Sequence, residues 1–223
     1  MAFKISTVYQ QIFKVWRAKR FKLFVQRLEP ERTASLLDVG GYPGTWTNQE
    51  PVVGRIDTLN VHEVAFKQED FPLHSIRTLV GNGCQLTFTN QSYDIAYSNS
   101  VIEHVGTWED QIQFAQELCR VGRSVWCQTP AFECPIEPHY LTPFVHWLPR
   151  SLQRKMLRHF TVWGWMTRPS LAEIEEMVET TRLITRKEMN ILFPDCEIHT
   201  EYLLTFLPKS YIAIRRSMMS DSA

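Results

Sequence analysis

Four short clusters of small and polar residues carry most of the chemistry this sequence offers. The first is Asp38-Val39-Gly40-Gly41-Tyr42-Pro43-Gly44, where an apolar run ends in a turn. Its glycines let the backbone bend sharply and approach a ligand closely. Asp38 either fixes that turn or, through water, holds a ligand ammonium group. Asn60 follows, then Gly81-Asn82-Gly83-Cys84, then Ser98-Asn99-Ser100. Each supplies hydrogen-bonding groups just after an apolar segment. A second kind of chemistry lies in His104, Glu137, His139 and His146, side chains able to take a proton near neutral pH. Structural readings stand beside these. The glycine turn also suits a plain tight turn, Glu103 reads as structural, His139 as a stacked loop residue and His146 as a packing residue beside Trp147.

The elements that would position these groups alternate between strand and helix patterns, the mark of a parallel sheet covered on both faces. Strands are expected over 34–39, 55–61, 75–80, 93–98 and 124–129, with a helix over 107–121 closed by Gly122. The polar clusters then fall at the carboxyl ends of the first four strands, where an open parallel sheet binds its ligand. Before them, residues 3–28 read as an amphipathic helix, with Ile5, Val8, Ile12, Trp16, Phe24 and Leu28 recurring between basic residues, stopped by Pro30. After them, residues 130–149 hold Pro130, Pro135, Pro138, Pro143 and Pro149, a stiff segment suited to a lid. Helices are expected over 152–160 and 170–179. Residues 196–204 and 211–215 read as an antiparallel hairpin turning at Leu207-Pro208-Lys209.

With 223 residues and 44% hydrophobic content, the chain fits one domain over 1–223, made of an N-terminal helix (1–30), a sheet and an inserted lid (131–169). The 24 basic and 24 acidic residues cancel, so the global charge does not call for nucleic acid. The charge is nonetheless uneven: seven cations and no carboxylate precede Glu29. Five cysteines without a CxxC spacing argue against a disulfide framework or a structural zinc, and no apolar run reaches the ~18 residues of a transmembrane helix. A reducing, cytoplasmic setting is therefore expected. The oligomeric state is not legible in the sequence.

Leu36-Leu-Asp38-Val-Gly40-Gly41-Tyr-Pro-Gly44, Gly81-Asn82-Gly83-Cys84 and Tyr93-Asp-Ile-Ala-Tyr-Ser98-Asn99-Ser100-Val-Ile-Glu103-His104-Val105 together resemble the class I methyltransferases, in the UbiE or "methyltransferase domain 11" branch. The resemblance spans roughly residues 33–130. It implies a Rossmann-like, doubly wound, mostly parallel α/β sheet with a reversed last strand, and S-adenosylmethionine as cofactor. Gly40, Gly41, Tyr42 and Gly44 would wrap the methionine part. Asn60 stands where the family has a ribose-binding acid, with Asp57, which falls earlier in the strand, as the alternative. Asn82 stands where an acid meets the adenine amino group, with Gly83 and Cys84 beside the ring. Ser98, Asn99 and Ser100 would line the methionine end. Tyr42 in place of a glycine, and asparagines in place of two carboxylates, depart from the pattern; an asparagine bonds without the charge that strengthens such bonds.

Methyl transfer is an in-line displacement that depends on alignment, worth roughly 7–11 kcal/mol, and on a proton acceptor. His104, Glu137, His139 and His146 are the candidates for the acceptor of that proton. Glu137, His139 and His146 lack a fixed metal-ligand spacing, so no metal is expected. The aromatic lid suits a small-molecule acceptor, ring-bearing, sugar or lipid-linked, and the basic runs suit a phosphorylated acceptor or an anionic membrane surface. Two other readings stand beside this one: a methyltransferase-like scaffold without turnover, and another Rossmann enzyme such as a nicotinamide-dependent oxidoreductase. The spacing Gly40-Gly41-Tyr42-Pro43-Gly44 does not supply the G-x-G-x-x-G fingerprint of the last.

Overall fold

The computed structural model describes residues 2–137 and 142–217, with side chains from Val15 onward except that of Glu137. Seven strands form one sheet: β1 (Ser35–Val39), β2 (Arg55–Asn60), β3 (Ile76–Val80), β4 (Tyr93–Asn99), β5 (Gly122–Pro130), β8 (Glu197–Leu203) and β9 (Leu207–Arg215). Their order is β3-β2-β1-β4-β5-β9-β8. The first five are parallel, while β9 runs antiparallel to both β5 and β8. β6 (Ile136–Glu137) and β7 (Thr142–Pro143) make a separate two-stranded ribbon. The strand order reverses between β1 and β4, which opens a crevice at their carboxyl ends.

Alternate side chains of each strand enter two cores. On one face Leu36, Ile56, Ile95, Tyr97, Trp126 and Ile212 pack with Phe24 and Leu28 of helix α1 (Ala2–Leu28). On the other, Leu37, Leu59, Ala96, Val125 and Ala213 pack under α2 (Trp108–Val121) and α6 (Arg186–Leu192), through Phe114, Leu118, Met189 and Leu192. Thr107 caps α2 in a reciprocal box with Asp110.

Helices cover both faces, but they do not come from the early crossovers. Connections 40–54 and 61–75 each contain one short 3-10 turn, Pro43–Thr45 and Gln68–Asp70, and 81–92 contains only turns and an isolated bridge between Asn82 and Gln85. The face they leave is closed by α1, which enters antiparallel to the strands. Leu28 shares a core with Ala34, Phe24 meets Tyr97 and Trp126, Arg20 bonds Gln128 near the end of β5, and Lys209, beyond that end, lies over Trp16. The helix backbone continues to Ala2, so its first turns extend past the carboxyl edge of the sheet.

Two sequence expectations need correction. The C-terminal turn lies at Leu204–Phe206, not at 207–209; β9 resumes at Leu207, with Pro208 opposite Tyr202 and outside the register with β5, which begins at Ser210. A proline lacking an N–H is tolerated there because that stretch has a neighbour on one side only. The helix expected over 152–160 is α3 (Arg150–Leu157), which starts and ends earlier, and a short unexpected helix, α4 (Val162–Thr167), follows it before α5 (Leu171–Thr180). Among the described residues no helix is long and apolar enough to cross a membrane.

Candidate functional site

The carboxyl edge of the sheet is tied together by bonds between the turns that leave it. Gly40, at φ +79°, donates its N–H to the Leu59 carbonyl at 2.7 Å, joining the ends of β1 and β2. A Cβ at Gly40 would lie 2.5 Å from a methyl of Val101, just past β4. Only glycine fits both the backbone angle and the space. Asn60 donates its side-chain amide to the Gly41 carbonyl at 2.6 Å, and the Gly81 N–H reaches the Asn60 carbonyl at 2.8 Å. The ends of β1, β2 and β3 are therefore one connected rim.

Asp38 lies beneath that rim. It is 1% exposed, accepts from the Trp46 indole at 2.9 Å, and presses against Gly41, where a Cβ would come within 1.9 Å of its carboxylate. Burial pushes its pKa up to about 7 against the opposing pull of the indole. Asp57 is committed elsewhere: Arg77 and Tyr93 both bond its carboxylate at 2.7 Å, deep in the sheet.

On the β3 side, Asn82 is exposed and accepts from the Cys84 N–H at 2.9 Å, an Asx turn that orients the Gly83–Cys84 backbone. Gly83 packs against Phe114 and Val39 with no room for a side chain, and the Cys84 thiol donates to the Asp110 carbonyl. Three apolar side chains stay exposed along this rim: Tyr42, Val61 and Val80. Val80 ends β3, and Val61 follows the last residue of β2. Gly44 faces open space.

Across the crevice, Ser98 is buried and its hydroxyl holds the Val39 carbonyl, bracing β4 against β1. Asn99 sits between Tyr97 and the Trp126 indole. Ser100, at φ +53°, is exposed and donates both its N–H and its hydroxyl to Gln128, whose amide oxygen also takes Arg20. Arg20 continues to Glu201, beside which burial lowers the Lys209 pKa to about 8.

The proton-accepting candidates are dispersed. His104 is exposed on the turn after β4, its Nδ1 3.4 Å from the Thr181 hydroxyl. His146 lines a cavity of about 310 Å³ with Phe132, Arg150, Gln153, Arg182 and Glu188. Its Nε2 is 3.0 Å from the Phe132 carbonyl, so that nitrogen carries the proton. Arg182 couples this cavity to the β4 turn: its N–H reaches the Glu103 carbonyl and its guanidinium bonds Gln111 and stacks over Trp108. Glu137 lies in the β6–β7 ribbon by its backbone, and His139 falls outside the described residues. Among the described residues no group of three or more His, Cys, Asp or Glu side chains is arranged to hold a metal.

A family model described as a methyltransferase domain matches residues 13–181. The chain belongs to this methyltransferase family. No curated protein matches it in sequence. Among solved structures, an S-adenosylmethionine-dependent methyltransferase from Methanosarcina mazei is 17% identical over 86% of this chain and 95% of its own, with a TM-score of 0.50. A methyltransferase from Aquifex aeolicus is 11% identical over 87% of each chain, TM-score 0.50. A Rhodobacter sphaeroides protein provisionally assigned to the Zn-dependent alcohol dehydrogenases is 10% identical over 90% of each chain, TM-score 0.60. At such identities the likeness is one of fold. Three residues of the candidate site carry no signal in the sequence, Trp46, Gln128 and Arg182, because they join it only through tertiary contacts.

Proposed function

We propose that this methyltransferase-domain protein is an enzyme that binds S-adenosylmethionine at the β1–β4 crevice and methylates a small-molecule acceptor. The observation that carries this reading is the connected rim at the point where strand order reverses, with Gly40 and Ser100 both in left-handed backbone conformations on its two sides. The donor set fits the cofactor. Val61, exposed just after β2, offers an apolar surface for a flat ring, Asn82 and the Gly83–Cys84 backbone offer amides at its edge, and Gly44 leaves room for a ligand. Asn60 would meet the ribose with its amide oxygen, since its nitrogen is engaged by Gly41. Asn99 and Ser100 would line the methionine end; Ser98 would support them from inside. Within the family, the Ser98–Val105 string supports the UbiE branch.

When bound, that cofactor supplies a methyl group on a positively charged sulfur. The protein's part is alignment and proton removal. The 131–169 segment would form the acceptor side, with the cavity at His146 as the acceptor pocket and Arg182 holding it to the β4 turn. With Nε2 protonated toward Phe132, the basic atom of the His146 ring is Nδ1. His104, His139 and Glu137 remain the other proton acceptors of this proposal.

Calorimetric titration with S-adenosylmethionine, followed by incubation of labelled cofactor with phenols, quinones, sugars and lipid-linked glycans, tests it. Binding with transfer to one acceptor class supports the reading. Absence of binding overturns it, and binding without transfer across all classes reduces the chain to a scaffold.

A further inference from the structure

Between Glu137 and Glu173 the sequence has no carboxylate but five cations, Arg150, Arg154, Lys155, Arg158 and Arg168. Two of them are neutralised by α5: Arg150 pairs with Glu179 at 2.8 Å and Arg154 with Glu175 at 2.6 Å. Lys155, Arg158 and Arg168 have no ion-pair partner among the described residues.

The same segment exposes large apolar side chains where α3 turns into α4. Phe160 is 65% and Trp165 68% exposed, and Met166 and Leu171 also face solvent. This turn is built rigidly. Thr161 caps α4 by accepting from the Gly164 N–H, and its hydroxyl bonds back to the Leu157 carbonyl. A Cβ at Gly164 would lie 2.0 Å from the Leu157 carbonyl oxygen, so α4 presses its backbone onto the end of α3. The Trp165 indole bonds the His159 carbonyl, which ties the ring to the backbone just before Phe160. Beneath the turn, Leu157 packs with Val145, Ile174 and Val178 in a small core. The rings are thus held outward by a fixed hairpin.

We propose that the α3–α4 turn is a docking surface for an anionic lipid bilayer, with Phe160 and Trp165 entering the interface and Lys155, Arg158 and Arg168 facing the headgroups. Charge complementarity selects this occupant: bulky rings flanked by cations, with no carboxylate in the segment, match a surface that is apolar beneath and negative at its plane. The inference stands apart from the methyl-transfer reading, since it concerns adsorption and needs no cofactor.

Cosedimentation of the full chain with phosphatidylcholine vesicles, with and without phosphatidylserine, tests it. Partitioning is expected to need the anionic lipid and to fall with added salt. Lys155→Gln, Arg158→Gln and Arg168→Gln should each weaken it roughly five-fold and together on the order of 100-fold. Phe160→Ser with Trp165→Ser should lower it as far without lowering the melting temperature. Equal partitioning onto neutral vesicles, or none onto anionic ones, overturns the proposal. So does loss of partitioning with Arg17→Gln and Lys19→Gln of α1 while the turn variants bind normally. Self-association in vesicle-free solution that the Phe160 and Trp165 changes abolish would assign the surface to a second copy of the chain instead.

Discussion

The Trp46 indole and the Asp38 carboxylate form a hydrogen bond of 2.9 Å between two side chains that are each 1% exposed. A carboxyl buried this way keeps its proton to about pH 7 in the folded chain, against an ordinary value near 4 in the unfolded one. The folded state therefore holds one more proton between pH 4 and 7. Its stability contribution is complete below about pH 4 and is lost as pH rises through 7, on the order of a few kcal/mol. Asp38→Asn keeps an oxygen for Trp46 and removes the titration. The variant should gain stability relative to the parent steadily from pH 4 to 7 and hold that gain above it. Urea unfolding of both proteins across this range checks the difference; a constant offset would show that Asp38 is ionised throughout.

Asn60 bears on the departure from the family pattern. Its amide nitrogen donates to the Gly41 carbonyl, a bond that a carboxylate cannot make. Asn60→Asp, although it restores the family's usual residue type, sets an anion against that carbonyl. It is expected to cost about 1–3 kcal/mol of stability, as is Asn60→Ala. Both should weaken cofactor binding by loosening the glycine turn. Thermal melts with and without S-adenosylmethionine check this, and tighter binding by Asn60→Asp would show that the ribose contact outweighs the turn.

The strands were legible because buried parallel strands are short apolar runs closed by glycine, asparagine or serine, and 35–39, 55–60, 76–80 and 93–99 follow that pattern to within a residue or two. Helix α6 was missed as a seven-residue element, too short for a periodic pattern; its signal was the capping pair Thr185 and Glu188. The turn at Leu204–Phe206 was displaced because Pro208 reads as a breaker when its pairing partners are unknown. Asp38, Gly40 and Asn60 were legible as candidates because they sit at or just past the ends of apolar strands. Trp46, eight residues after Asp38, had no such signal, since only the fold of the 40–54 loop brings its indole back. Gln128 and Arg182 were equally invisible, because their partners lie in distant parts of the chain.

The glycines of the turn divide into two kinds. Gly40→Ala meets Val101 at an unfavourable backbone angle, and Gly41→Ala meets the Asp38 carboxylate. Each should destabilise the fold by about 1–3 kcal/mol or more, and any loss of cofactor affinity would follow from that. Gly44→Val enters open space. It should melt within about 2 °C of the parent, since surface changes stay within roughly 0.5 kcal/mol, yet lose cofactor binding if the ligand fills that space. Calorimetry of Gly44→Val is the cleaner probe of the site. Unchanged affinity there would move the methionine end away from Gly44.

His146 can be tested as a proton acceptor separately from its packing role. Its ring meets the Phe132 carbonyl through Nε2 and rests edge-on against the Phe132 ring. Glutamine retains an N–H for that carbonyl but has no basic nitrogen, so His146→Gln preserves the wall of the cavity while removing the base. If the imidazole takes the acceptor's proton, turnover should fall about 10²–10⁴-fold, with the acceptor KM, the cofactor affinity and the melting temperature near the parent values. Steady-state kinetics with an acceptor found by the labelling screen, beside thermal melts, measure this. A variant that melts lower but turns over normally once folded would make His146 a packing residue and leave His104, His139 and Glu137 as the proton acceptors.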